Sequence, residues 1–125
     1  MAKTHRGFTM IELLVALAII GMLVAIASPR YFGNIDRTKE DVLKEDLHVL
    51  RNALDHFYAD RNVYPETLDD LVKERYLRNL PVDPYTQSSH SWVPLPPADA
   101  SLGGVADVKS GAAGTARDGT SFKDW

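Results

Sequence analysis

One carboxylate, Glu12, stands near the head of a long apolar run: Phe8–Ala27 spans 20 residues and Glu12 is its only charged side chain. As a helix this run is about 30 Å long, the thickness of a bilayer's hydrocarbon core. A carboxylate at mid-membrane costs about 2.5–3.5 kcal/mol on insertion scales, and less near an interface, so Glu12 calls for a cationic partner. The chain supplies one if it is cut between Gly7 and Phe8. The new α-amine then lies four residues from Glu12, and positions i and i+4 share a helix face. Such an amine can neutralise its own Glu12 or that of a neighbouring helix in a bundle.

The residues around this pair are Arg6-Gly7-Phe8-Thr9-Met10-Ile11-Glu12-Leu13-Leu14. They resemble the class III signal of type IV pilins and of the pseudopilins of type II secretion systems, and the likeness runs over Arg6–Arg30. It implies that a prepilin peptidase cuts after Gly7 and methylates the amine of Phe8. Two plainer readings compete. Ala25-Ile26-Ala27 fits an ordinary secretory signal cut after Ala27, although the apolar stretch exceeds the usual 7–15 residues and leaves Glu12 without a use. An uncleaved anchor is the other.

The chain has no cysteine, so no disulfide staples the part beyond the apolar run. Many type IV pilins are similar to one another in carrying one, and its absence tilts the likeness towards pseudopilins. Net charge is −3, falling to −5 once the two cations Lys3 and Arg6 leave with a leader. Basic residues are scattered among more numerous acids, which argues against a nucleic-acid surface. Lys3 and Arg6 precede the apolar span, placing the N-terminus in the cytoplasm and the rest across the membrane.

The elements that must carry these residues follow from the pattern. Pro29 is expected to kink the helix or mark its exit, and Gly21 is a second weak point. The family likeness implies loss of helical order over Gly21–Pro29 on entry into a filament; an ordinary proline kink explains the same residues. Leu43, Leu47, Leu50, Leu54, Phe57 and Tyr58 fall within an arc of roughly 100° and predict an amphipathic helix over Ile35–Asp60. Together the two halves predict one helix from about Phe8 to Asp60. Asn62-Val63-Tyr64-Pro65 should end it. Thr67-Leu68-Asp69-Asp70 reads as a capping box opening a second helix through about Arg75. Leu80-Pro81-Val82-Asp83-Pro84 is a rigid turn that resembles the Leu-Pro-x-Asp-Pro segment of pseudopilins. Ser91–Leu95 and Val105–Lys109 are predicted strands, the first interrupted by Pro94 as an edge strand allows.

Catalytic constellations are missing from the sequence. Neither a Gly-x-Ser-x-Gly elbow nor a phosphate loop occurs, and His48 and His56 lack zinc-type companions. Asp41, Glu45 and His48 have metal-compatible spacing, but a solvated helix face explains them better. Major pseudopilins carry a calcium ion in a C-terminal loop, and the likeness implies Asp118 and Asp124 as its carboxylates here. Against it, Ala113 stands in Gly111-Ala112-Ala113-Gly114 where the family's loop shows an aspartate. A turn-forming Asp118-Gly119 pair with a surface Asp124 accounts for the same residues.

The expected architecture is α+β: a leader over 1–7, a transmembrane helix over 8–28, an amphipathic half over 29–61, and a small α+β region over 62–125 packed on 35–60. The expected role is a non-enzymatic filament subunit, closest to the major pseudopilins, cut between Gly7 and Phe8, methylated at Phe8 and assembled through Glu12. No cofactor is required. Its partners would be further copies of itself, minor pseudopilins, the prepilin peptidase and an inner-membrane assembly platform. It would cross the bacterial inner membrane once, with its C-terminal domain periplasmic. A minor pilin of a motility or DNA-uptake pilus, or a membrane-anchored binding domain that never polymerises, are the alternatives.

Overall fold

The computed structural model describes residues 7–125, apart from the side chains of 29–34. Helix α1 spans Met10–Arg61, α2 Asp69–Lys73, β1 Val93–Leu95 and β2 Asp107–Lys109, with short 3-10 turns at Ala100–Leu102 and Phe122–Asp124. The arrangement is α+β, and the chain divides into two compact units, Met1–Asp36 and Arg37–Trp125.

In the first unit the apolar side chains from Phe8 to Ile26 are all exposed within the chain. Met10–Ser28 is long and apolar enough to cross a membrane. The helix runs unbroken through Pro29, so that proline is not its exit. The predicted kink falls on residues whose side chains lie outside those described. Gly21 is open, with nothing within 4 Å of where a Cβ would sit.

In the second unit the predicted stripe forms the core. Leu43, Leu47, Leu50, Leu54 and Phe57 are buried, each worth roughly 1.5–3 kcal/mol relative to exposure. Tyr58 corrects the prediction: it lies at the stripe's edge, 36% exposed, and stacks on Tyr64 at 4.6 Å, while Ala53 joins the core. Facing the stripe are Leu71 of α2, Trp92, Val105, Val108, Ala112, Ala116 and Phe122.

Helix ends are set by left-handed residues that are not glycine. Asn62 (φ 59°) closes α1, its N–H donating to the Tyr58 carbonyl. Arg75 (φ 64°) closes α2 in a Schellman motif, with Tyr76 N–H donating to Leu71 O and Arg75 N–H to Val72 O. This makes α2 shorter than predicted. Its capping box is half formed: the Thr67 N–H donates to Asp70 Oδ2 (3.2 Å), but Leu68 occupies the N-cap and no side chain caps the helix.

The two strands are antiparallel, with Val93 opposite Lys109, Pro94 opposite Val108 and Leu95 opposite Asp107. Both are shorter than predicted; at the start of the second, the Val105 backbone bonds elsewhere. Val105 N–H donates to Pro65 O, and the Trp92 indole N–H to Pro81 O. Arg51 ties α1 to β2, donating to Asp107 Oδ1 and Val108 O, each at 3.0 Å. Gly103 and Gly104 lie where any Cβ would collide with the carbonyls of Tyr64 and Glu66, so the chain passes there only as glycine.

Candidate functional site

Gly7, Phe8 and Thr9 precede the helix, and α1 begins at Met10. Thr9 is the residue that starts it. The Glu12 N–H donates to Thr9 Oγ1 (3.2 Å), the Thr9 N–H donates to Glu12 Oε2 (2.9 Å), and the Leu13 N–H takes the Thr9 carbonyl. This is a complete capping box, Thr-x-x-Glu, closing two otherwise orphan donors. Glu12 also sits in the first turn, where the helix dipole favours an anion. The helix therefore starts two residues later than predicted, with the Gly7–Phe8 bond upstream of it. No atom lies within 4 Å of a Cβ built on Gly7, and Phe8 is 90% exposed.

Glu12 thus has a partner within its own chain, one the sequence reading did not identify. The Thr-x-x-Glu spacing was available as a signal. A capping carboxylate in the first turn of a helix that buries nothing locally is satisfied, yet it stays accessible to a stronger, charged donor.

Asp83, in the Leu80–Pro84 turn, is a second residue whose role the sequence reading missed. Fully buried, it accepts from the N–H groups of Tyr85 (2.8 Å) and Thr86 (3.3 Å) and from the Ser110 hydroxyl (3.0 Å). It fixes that turn against the segment after β2. Nearby, Asp46 on α1 has its carboxyl raised above the ordinary value, first by burial and then by the charges of Asp83 and Glu45.

The remaining sequence candidates do not converge. Asp41, Glu45 and His48 lie on the exposed side of α1, and His48 Nε2 pairs with the Asn52 side chain (3.1 Å). Among the described residues no three His, Cys, Asp or Glu side chains group to hold a metal. Asp118 Oδ1 is occupied by the Thr120 N–H (3.0 Å) and hydroxyl (2.6 Å), bonds that hold its carboxyl below the ordinary value. Asp124 lies in the last 3-10 turn. Calcium takes six to eight oxygens from carboxylates and carbonyls, of which Asp118 and Asp124 could supply only part.

A prokaryotic N-terminal methylation motif matches residues 2–28, the stretch that contains Gly7, Phe8, the capping box and the apolar span. The chain thus carries the N-terminal motif of pilin-like proteins. Its similarity continues beyond the motif. The type II secretion system core protein G of Vibrio cholerae serotype O1 is 30% identical over an alignment covering 93% of this chain and 90% of that protein. Its counterpart in Pseudomonas aeruginosa is 34% identical over 66% of this chain and 70% of the relative. That of Escherichia coli (strain K12) is 34% identical over 65% and 67%. No solved structure gives a significant match. The chain belongs to the type II secretion system core protein G family and is a pseudopilin subunit.

Proposed function

We propose that the chain is made as a membrane precursor, cut between Gly7 and Phe8, methylated on the Phe8 amine, and polymerised with minor pseudopilins into the periplasmic filament of a type II secretion system. Its N-terminus is cytoplasmic, it crosses the inner membrane once, and its second unit is periplasmic. The peptidase and an inner-membrane assembly platform are its working partners, and its role is structural rather than catalytic. One observation carries this reading: Glu12, bonded among the described residues to the neutral Thr9 N–H, heads an apolar helix whose side chains are exposed all round.

The physical sequence is an exchange of partners. Before assembly Glu12 is held by the Thr9 N–H, which makes its insertion into the membrane less unfavourable. Cleavage creates an amine on Phe8 that is itself unfavourable in lipid. Packing that amine against Glu12 of a neighbour replaces a neutral donor by a charged one and sets axial register between helices that otherwise offer only apolar surface.

The test is a strain carrying only one variant. Glu12→Val and Glu12→Gln should insert, lose the leader and keep the melting temperature of the second unit, yet yield no sheared filaments and no secretion. Intact mass of the unaltered protein should lack Met1–Gly7 and carry one added methyl group. Normal filaments from Glu12→Val would overturn the register argument, and a mature N-terminus at Ser28 would overturn the processing.

A further inference from the structure

The segment after Ala113 lacks the donors for a cation, yet it is closed at every turn by its own atoms. Thr115 and Ser121 form an antiparallel bridge, Ala116 N–H donates to Thr120 O (2.7 Å), and Gly119 (φ 89°) N–H turns back to Ala116 O. At the centre stands Thr120. Its hydroxyl donates to Asp118 Oδ1 (2.6 Å) and accepts the Trp125 indole N–H (2.8 Å), using its one proton and a lone pair in opposite directions. Phe122 is buried beneath, its ring 4.4 Å from Tyr85 and edge-on to Trp125 at 5.1 Å. Two contacts fasten the loop to α1: Arg117 N–H donates to Glu40 Oε1 (2.7 Å), and Lys44 Nζ lies 4.9 Å from the Trp125 ring centre.

We infer that the C-terminal loop of this pseudopilin is locked by the Asp118–Thr120–Trp125 chain over Phe122, and that its closure is independent of divalent cations. An ion drawn to Asp118 would have to compete with two hydrogen bonds to Oδ1, would find no group of three acidic or histidine side chains among the described residues, and would meet Ala113 where an acid would be needed. The hydroxyl of Thr120 does locally what a cation would do: it gathers an anionic oxygen and a distant donor onto one point. This inference concerns the loop alone and stands or falls separately from filament assembly.

The experiment is thermal unfolding of the full-length chain in detergent micelles, followed by fluorescence of its two tryptophans, Trp92 and Trp125. Melts are taken with a chelator, with millimolar calcium, and with magnesium as the ionic control. A bound ion would raise Tm increasingly with the logarithm of its concentration above its Kd. The expected result is coincident melts, within about 1 °C, where 1 kcal/mol would shift a domain of this size by roughly 4–8 °C. A Tm that climbs with calcium, whether or not magnesium reproduces it, overturns the inference. Thr120→Val, which keeps the shape and removes the hydroxyl, should lower Tm by about 3–8 °C equally with chelator and with calcium, and Thr120→Ser should restore most of it. An unchanged Tm in Thr120→Val overturns the latch.

Discussion

Helix α1 contains two apolar stretches that meet opposite fates. From Met10 to Ser28 the apolar side chains go all the way round the helix, and all are exposed within the chain. From Leu43 to Phe57 they keep to one stripe, which is buried. A one-sided core can cover a stripe but not a cylinder, so the upstream stretch needs an apolar medium on every side. In each stretch a backbone group meets a charged side chain. Glu12 takes the Thr9 N–H, and Arg51 donates to the Val108 carbonyl. Helicity is common to both stretches; the pattern of what is not apolar decides which environment each can accept.

The sharpest way to break this contrast is to truncate one leucine in each stretch. Leu50 is fully buried and Leu17 is 56% exposed. Leu50→Ala should destabilise the second unit by about 2–5 kcal/mol, since the removed atoms leave a cavity. Leu17→Ala should leave it within about 0.5 kcal/mol. Denaturant unfolding of the full chain in detergent measures both. Equal effects would mean that the two stretches are not separate environments.

Asp83→Ala comes next. It removes the acceptor of the half-buried Tyr85 N–H, the Thr86 N–H and the buried Ser110 hydroxyl, and a buried donor left unpaired costs about 1–3 kcal/mol. Asp83→Asn keeps an acceptor for the two amides and should cost clearly less. The same unfolding experiment separates them. Identical losses would show that charge rather than hydrogen-bond geometry matters at this turn.

The helix start answers on a smaller scale. Thr9→Ala removes the cap on the Glu12 N–H and should cost about 1 kcal/mol of local helix stability. It should be read as faster hydrogen exchange at the Glu12 amide, with the second unit's Tm unchanged. Unaltered exchange would show that the bilayer or micelle, not the cap, fixes where α1 begins.

What was legible in the sequence is what periodicity and spacing encode. The membrane-length run, the Leu43–Phe57 stripe, the break at Asn62 and the Gly7-Phe8…Glu12 arrangement all follow from patterns within a few turns. The Thr-x-x-acid spacing occurs at both Thr9–Glu12 and Thr67–Asp70, and it shows the limit of such patterns. It was read at Thr67, where only half of the box forms, because Leu68 takes the N-cap position. At Thr9 both bonds form, on the same Glu12 whose cost in lipid also calls for a charged partner. Arg75 ending α2 in a left-handed conformation carries no glycine signal. Asp83 as a hub depends on Ser110, 27 residues away, and the late start of β2 on the Pro65 carbonyl that takes the Val105 N–H. Long-range partners of this kind have no local spacing to announce them.

The smallest effect belongs to Asp46, on the same helix as the stripe but beside Asp83. Burial first, then the charges of Asp83 and Glu45, raise its pKa above 3.8 in the folded chain. Below pH 3.8 the group is protonated whether the chain is folded or not, and it costs nothing. As pH rises the unfolded chain releases the proton first, so stability is lost until the folded group also ionises, and the loss is then constant at higher pH. Asp46→Asn should therefore raise Tm at neutral pH by less than the roughly 4–8 °C that 1 kcal/mol commands, and the gain should vanish as pH falls towards 3.8. In an Asp83→Asn background the gain should shrink, because one of the two opposing charges is gone. A gain that persists at low pH would mean that Asp46 is disfavoured by shape and not by charge.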